Sequence, residues 1–239
     1  MSQFPYQAQP SFIDGSTVEA QARERAFFAS VYRWMFGGLL LTALASMWVV
    51  SSPAMQQIVL GNRVVLIGLM LAELGIVIFA SAKLNTMTPA AAATCFLVYS
   101  LLTGLTLSVI FFVYSRASIV QAFAATGGMF GAMSIYARVT KRSLASWGSF
   151  LFMGVIGIII AMVVNMFIAS SALSMAISTI AVFVFTALVA YQTQTLRQYA
   201  HAGADRVETY AIYGALSLYI TFINLFLSLL RLFGGSRRN

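Results

Sequence analysis

The stretch that decides the fold lies near the C-terminus, where residues 211–233 read AIYGALSLYITFINLFLSLLRLF. Apart from Arg231, close to its end, this stretch carries no charged residue. About 20 consecutive, mainly apolar residues are enough for an α-helix to cross the hydrocarbon core of a bilayer. Residues 211–233 therefore predict a transmembrane helix.

Four polar residues interrupt this apolar stretch at helical spacing. Ser217, Thr221, Asn224 and Ser228 follow one another at intervals of four, three and four residues, which places them on one face of a helix. A polar stripe on an otherwise apolar membrane helix faces the bundle interior or water, not lipid. The stripe serves either an ion pathway or hydrogen bonding between helices, and the spacing alone favours neither.

Six further apolar runs precede this one, separated by short polar or proline-containing segments. Hydrophobic residues make up 60% of the 239-residue chain and charged residues only 8%, whereas a soluble domain carries about a quarter charged residues. We therefore predict an all-α integral membrane protein of seven transmembrane helices, with no room for a separate soluble domain. The predicted spans are residues 34–51, 63–82, 90–114, 118–137, 147–169, 173–193 and 211–233.

The flanking segments and basic residues predict the topology. Residues 1–30 are expected to form a loose, polar cytoplasmic tail with a short interfacial helix from Thr17 to Arg33, followed by a membrane domain over 31–235 and a basic tail over 236–239. Nine basic residues fall on the N-terminal side of the spans and five on the opposite side. This bias favours a cytoplasmic N-terminus and an external C-terminus. The basic C-terminal tail instead favours six crossings, a re-entrant last run and both ends inside.

Glu73 lies in the middle of the second run, and the residues on its own helical face are apolar. Lys83, about 15 Å farther along the helix axis, is too distant to pair with it. A carboxylate at this depth costs about 2.5–3.5 kcal/mol, so another helix, water or a bound proton must satisfy it. Glu73 is either part of an ion or proton pathway or a packing residue.

Enzymatic functions find little support in the sequence. The only histidine, His201, lies in the loop after the sixth run, while Asp14 and Asp205 are predicted outside the membrane, so neither a buried nucleophile–histidine pair nor an aspartyl dyad is available. Neither lysine, Lys83 or Lys141, lies in the last run, where a retinal Schiff base would need one. The net charge of +8 is scattered over loops rather than gathered in a nucleic-acid-binding stripe. We expect no enzymatic activity, cofactor, metal site or nucleic-acid partner.

Three stretches of the chain resemble a known family of membrane proteins. Residues 214–234, GALSLYITFINLFLSLLRLFG, strongly resemble the signature of the Bax inhibitor-1 family, also called the transmembrane Bax inhibitor motif family. Residues 101–108, LLTGLTLS, look like the third helix of the family, and residues 128–134, GMFGAMS, resemble the fourth helix of bacterial members. The resemblance covers roughly residues 30 to 235, and it implies a bacterial inner-membrane protein.

The resemblance carries expectations about fold and function. It implies six helices around a central seventh, and a calcium-permeable leak that pH controls in bacterial relatives. Some bacterial members are instead linked to a membrane-bound AAA protease that they restrain, and eukaryotic members to suppression of cell death. The expected partners are therefore the lipid bilayer and either Ca²⁺ as permeant ion or a membrane protease. A proton-coupled transporter that uses Glu73 is a third interpretation.

The pH sensor of the family is a pair of aspartates, whose positions are occupied here by Gln192 and Thr221. An amide and a hydroxyl do not titrate in the physiological range, although they can hydrogen-bond to each other. Glu73 retains the acid that some members carry in the second helix. We expect a leak or gate that has lost its main pH response. Its expected ion pathway and gate comprise Glu73, Gln192, Thr221, Asn224 and Ser217.

Overall fold

The computed structural model describes residues 15–200 and 204–234, and within these ranges it contains nine helices and no strand. Seven of these helices are long and apolar enough to cross a membrane, which confirms the predicted fold class. Asp14, His201 and the basic tail lie outside the described residues, as does the side chain of Asp205. The helices are α1 Gly15–Ser51, α2 Pro53–Val59, α3 Arg63–Lys83, α4 Pro89–Leu107, α5 Ile110–Val113, α6 Arg116–Val139, α7 Trp147–Ile168, α8 Ser171–Tyr199 and α9 Ala204–Phe233.

Hydroxyl side chains define several of the helix starts. Ser52, Thr88, Ser115 and Ser170 each precede a helix and accept a hydrogen bond from a backbone N–H of its first turn. Proline follows directly after Ser52 and Thr88, at the first helical position, where its missing N–H costs nothing. These local signals explain why the breaks between spans fall close to their predicted positions.

The third predicted run, residues 90–114, is not one continuous helix. It is divided into α4 and α5 at Ser108 and Val109. The Ser108 hydroxyl donates a hydrogen bond to the Leu105 carbonyl at 2.6 Å, and such local side-chain bonds compete with regular helical hydrogen bonding. The predicted third span is present as Pro89–Val113, with this local break near its C-terminal end.

The first helix begins much earlier than the first predicted span. α1 runs without a break from Gly15 to Ser51 and is about 55 Å long. From residue 15 onward, one helix therefore replaces the expected loose tail and separate interfacial helix. Phe27 and Phe28 are buried against the bundle. Glu24 forms an ion pair with Arg197 of α8 at 3.0 Å. The N-terminal turns of α1 are thus held by packing and charge, which the polar composition did not reveal.

The last transmembrane helix, α9, is the most buried of the seven in the described structure. It packs against α1, α4, α6 and α8, whereas α3 packs mainly on α4, and α7 on α8. A ring of six helices around α9 is therefore not confirmed. Because α3 and α7 stand at the outside without extensive contact between them, a space remains between them in front of α8 and α9.

A buried polar contact joins α1, α4 and α9 on the opposite side of α9. The Tyr219 and Thr42 hydroxyl oxygens lie 2.5 Å apart, and Thr42 Oγ1 is 2.8 Å from the Ser100 carbonyl. Gly104 brings α4 so close to α1 that an added Cβ would press on the Thr42 carbonyl. Close helix approach at small residues is the usual means of packing in membranes. This contact joins α1, α4 and α9 in the interior of the bundle.

Candidate functional site

The polar stripe of α9 turns three of its four members toward the space between α3 and α7. Ser217, Thr221 and Asn224 line that space, while Ser228 is buried and donates to the Asn224 carbonyl at 2.7 Å. The Asn224 amide donates to the Ile220 carbonyl at 2.8 Å, which leaves its side-chain oxygen available. Three members of the stripe therefore share one space on the outside of α9, and the fourth is buried.

Gln192 of α8 meets Thr221 of α9 across the helix interface. Thr221 Oγ1 lies 2.9 Å from Gln192 Oε1 and 3.1 Å from the Ser217 carbonyl, so its one proton serves either acceptor. The hydrogen bond expected between these two neutral side chains is therefore present. It connects the two helices at the positions where the resemblance implies an aspartate pair.

Glu73 of α3 finds its partner on α4. Thr106 Oγ1 donates a hydrogen bond to Glu73 Oε1 at 2.9 Å, and the carboxylate is only partly buried. A carboxylate at this depth needs a second helix, water or a bound proton to satisfy it. The structure supplies the second helix, and Glu73 also lines the space in front of α9.

All five candidate residues line one cavity of about 450 Å³. The helices α3, α4, α7, α8 and α9 contribute its walls, which are mostly apolar. Three large apolar side chains at its edge, Met70, Leu74 and Ile159, are more than half exposed, so the cavity opens sideways toward the lipid. The structure thus brings together residues separated by up to 151 positions in the chain (224 − 73).

Sequence reasoning missed several polar residues that line this cavity or bind its lining residues. Thr106, which binds Glu73, lies in the stretch 101–108, where the sequence analysis found only a family resemblance. Tyr99 lines the wall, and the Ser81 and Tyr213 hydroxyls meet at 3.4 Å toward one end. Tyr213 and Ser217 are four residues apart, so extending the polar stripe of α9 by one turn would have found Tyr213.

The chemistry of the cavity suits a mobile cation better than a tightly bound one. Among the described residues, no group of three or more His, Cys, Asp or Glu side chains is placed to hold a metal ion. The described lining offers one carboxylate, Glu73, and several neutral oxygens. Hard cations take oxygen ligands, and conduction requires binding weak enough to allow release.

Comparison with known proteins identifies the family. The sequence pattern of the family described as Inhibitor of apoptosis-promoting Bax1 matches residues 24–239. The chain belongs to the Bax inhibitor-1 family. This confirms the assignment based on the last helix. The matched range begins at Glu24 and so includes the turns of α1 that carry the buried Phe27 and Phe28.

Relatives within the Bax inhibitor-1 family are similar along almost their whole length. The inner membrane protein YbhL of Escherichia coli K12 is 46% identical over 226 residues, which cover 93% of this chain and 97% of YbhL. An uncharacterized protein of Deinococcus radiodurans is 42% identical over 89% of this chain and 91% of its own length. A membrane protein of Streptococcus pyogenes serotype M1 is 36% identical, with coverages of 87% and 92%. The similarity therefore spans the seven helices as one unit.

Proposed function

We propose that this Bax inhibitor-1 protein is a cation leak channel, with Ca²⁺ as its permeant ion, whose ionisable sensor pair is replaced by Gln192 and Thr221. The observation that carries the proposal is the single cavity lined by Glu73, Ser217, Gln192, Thr221 and Asn224. These are the oxygen-bearing side chains that a partly dehydrated cation requires. The cavity supplies them at membrane depth, where polar side chains are costly unless they serve a function.

Glu73 is the attractive charge of the proposed pathway. No other described residue that lines the cavity carries a charge. A carboxylate in a partly dry site attracts a cation more strongly than it would in bulk water. One carboxylate among neutral oxygens gives weak, exchangeable binding, which suits a leak better than a storage site.

The hydrogen bond between Gln192 and Thr221 is the proposed gate contact. It holds α8 and α9 together beside the cavity at 2.9 Å. A neutral hydrogen bond contributes about 0.5–1.5 kcal/mol, which thermal motion overcomes often. Since neither side chain titrates near neutral pH, the opening of this contact is independent of pH.

Calcium flux into liposomes that contain the purified protein tests the proposal. We expect flux above that of protein-free liposomes and little change from about pH 6 to pH 8. Glu73→Gln should reduce the flux, whereas the matched control Glu208→Gln, at an exposed glutamate outside the cavity, should not. Flux no greater than in protein-free liposomes, or a steep pH dependence in the unmodified protein, would contradict the proposal.

Restoring the aspartate pair tests the proposed gate itself. In the double variant Gln192→Asp, Thr221→Asp, two carboxylates would face each other and share a proton. The release of one proton changes an equilibrium by at most about tenfold per pH unit. We therefore expect the calcium flux of this variant to change with pH, by at most about tenfold per pH unit. The neutral pair Gln192→Asn, Thr221→Asn is the control. An equally flat profile in both double variants would rule out this gate position.

A second candidate function is regulation through a membrane-bound AAA protease. The helix α1, about 55 Å long, exceeds the roughly 30 Å hydrocarbon core of a bilayer, so several of its turns extend beyond the membrane. Glu19, Gln21 and Ala22 are exposed on those turns, where a partner can reach them. Deletion of residues 1–22 should abolish co-purification of the protease and leave calcium flux intact. Equal co-purification with and without this segment would remove the argument from α1.

We propose the bacterial inner membrane as the location, with the N-terminus in the cytoplasm. The supporting observations are the seven spans and the nine basic residues on the N-terminal side against five on the other. An alkaline phosphatase fused to the C-terminus should be active, because that enzyme requires the periplasm. An inactive fusion that is made and stable would favour both ends inside.

A further inference from the structure

A second groove lies on the other side of α8. The helices α6 and α7 each pack on α8, and a space of about 450 Å³ separates them above it. Its floor is formed by small residues of α8, Ala187 and Ala190, and its mouth by the loop between α6 and α7. The described lining residues are Met133, Tyr136, Arg142, Ser143, Leu144, Trp147, Ala187, Ala190 and Tyr191.

The loop at the mouth of this groove is fixed in place. The Gln194 side chain accepts a hydrogen bond from the Leu144 backbone N–H at 2.6 Å and donates one to the Arg142 carbonyl at 2.9 Å. Leu144 is buried and packs with Ala137 of α6 and Ala190 of α8. These contacts hold the Arg142 backbone at the mouth, although its side chain is exposed.

The charge at the mouth is positive and unbalanced within the described structure. No carboxylate lines the groove, and the described ion pairs, Arg23–Glu19 and Arg197–Glu24, involve neither Lys141 nor Arg142. Arg138, on the last turn of α6, does not contribute, because its guanidinium lies over the Phe28 ring at 4.4 Å. The mouth therefore presents Arg142 to an anion, and the exposed Lys141 is next to it in the chain.

The rim and floor have the character of a lipid site. Trp147 and Tyr136 are 52% and 44% exposed at the rim, and such aromatic side chains are enriched at the level of lipid headgroups. Below them the walls become apolar. A volume of this size lies within the range of about 300–1,000 Å³ that is typical of small-molecule sites. Basic pockets between transmembrane helices are known to bind anionic lipid headgroups.

We propose that this groove binds an anionic phospholipid. Its phosphate lies at Arg142 and Ser143, with Lys141 beside them, and one acyl chain lies on the floor of Ala187 and Ala190. Charge selects this occupant, because an uncharged lipid headgroup would leave both basic side chains without an anionic partner. The site is separate from the proposed cation pathway and does not depend on it.

Quenching of Trp147 fluorescence by brominated lipids tests the proposal. With Trp34 and Trp48 replaced by Phe, Trp147 is the only tryptophan. Vesicles of phosphatidylcholine would contain a small fraction of acyl-brominated phosphatidylglycerol or, for comparison, acyl-brominated phosphatidylcholine. Attraction of an anionic lipid by one basic residue corresponds to about fivefold preference, so brominated phosphatidylglycerol should occupy the groove at least that much more often.

Three variants test whether the preference for the anionic lipid arises at this groove. Arg142→Gln should lower the preference about fivefold, and Ala187→Leu should lower the quenching by filling the floor. Arg25→Gln, at an exposed arginine on the same side of the bundle, should change neither. Equal quenching by the two brominated lipids, or a preference unchanged in Arg142→Gln, would overturn the proposal.

Native mass spectrometry of the unmodified protein gives the same comparison without the tryptophan substitutions. The protein is mixed with both lipids, and retention of phosphatidylglycerol in preference to phosphatidylcholine supports the proposal. Equal retention of the two lipids overturns it.

Discussion

The hydrogen bond between Thr106 and Glu73 offers a direct test of whether these two side chains interact in the membrane as the structure shows. Thr106 Oγ1 lies 2.9 Å from Glu73 Oε1 and 3.0 Å from the Thr103 carbonyl, and its one proton serves either acceptor. A hydrogen bond to a charged group contributes about 1.5–3 kcal/mol. Because Glu73 is only partly buried, we reduce this to about 1–2 kcal/mol. This is the loss of unfolding free energy that we expect for Thr106→Val.

The same substitution should cost little once the carboxylate is absent. In the background Glu73→Leu, the Thr106 hydroxyl retains only the Thr103 carbonyl of its own helix, a local bond that contributes at most about 0.5 kcal/mol. The four proteins of the double-mutant cycle should therefore give a coupling energy of about 1 kcal/mol. Thr106→Ser, which retains the hydroxyl, is the matched control and should stay close to the unmodified protein.

Reversible unfolding in mixed micelles, with increasing fractions of dodecyl sulfate, measures these free energies through tryptophan fluorescence. The cycle removes effects of the valine side chain on general packing, because they occur in both backgrounds. A coupling energy below about 0.3 kcal/mol, the level at which independent sites are additive, would refute the reasoning. The Glu73 carboxylate would then be satisfied by another group, and its placement beside Thr106 at the cavity would be wrong.

Three further predictions concern the packing of α9 and α4 on α1 and the loop between α6 and α7. Thr42→Val should destabilise the protein more than Tyr219→Phe, because it leaves the buried Tyr219 hydroxyl without its partner at 2.5 Å, a cost of about 1–3 kcal/mol in the same unfolding assay. Gly104→Ala should lower stability by about 1–3 kcal/mol through overpacking against the α1 backbone, whereas Gly127→Ala, which meets open space, should be near neutral. Gln194→Leu should free the loop between α6 and α7, observed as faster amide hydrogen exchange over residues 140–146, while exchange in α9 stays unchanged.

Local signals in the sequence account for four of the helix starts. Ser52 and Thr88, each followed by proline, and Ser115 and Ser170 are capping residues that act within one turn of the chain. The break at Ser108 also has a local cause, but its signal is weaker than that of a capping residue followed by proline. It rests on a single hydrogen bond from the Ser108 hydroxyl to the Leu105 carbonyl. The early start of α1 was missed for a different reason. Its polar turns are retained by Phe27, Phe28 and the ion pair of Glu24, and only the tertiary structure supplies these partners.

The candidate residues were predictable one helix at a time, but their arrangement was not. Intervals of three and four residues show which side chains of α9 share a face, and a lone carboxylate such as Glu73 stands out at membrane depth. In a bilayer, however, lipid and protein interior are equally apolar, so hydrophobic periodicity does not tell how a helix is rotated. On the opposite side of α9, the Tyr219 hydroxyl contacts Thr42 of α1, and we infer that this contact sets the rotation of the helix.

That contact turns the polar face of α9 toward the gap between α3 and α7. With Tyr219 held against α1 and α4, Ser217, Thr221 and Asn224 project to the other side of the helix, where Gln192 of α8 and Glu73 of α3 line the same cavity. If this contact sets the rotation, weakening it should disturb the bond between Thr221 and Gln192 without any change in either residue. A stability loss in Thr42→Val that left the arrangement of Gln192 and Thr221 intact, as read by solid-state NMR, would instead assign the rotation of α9 to apolar packing alone.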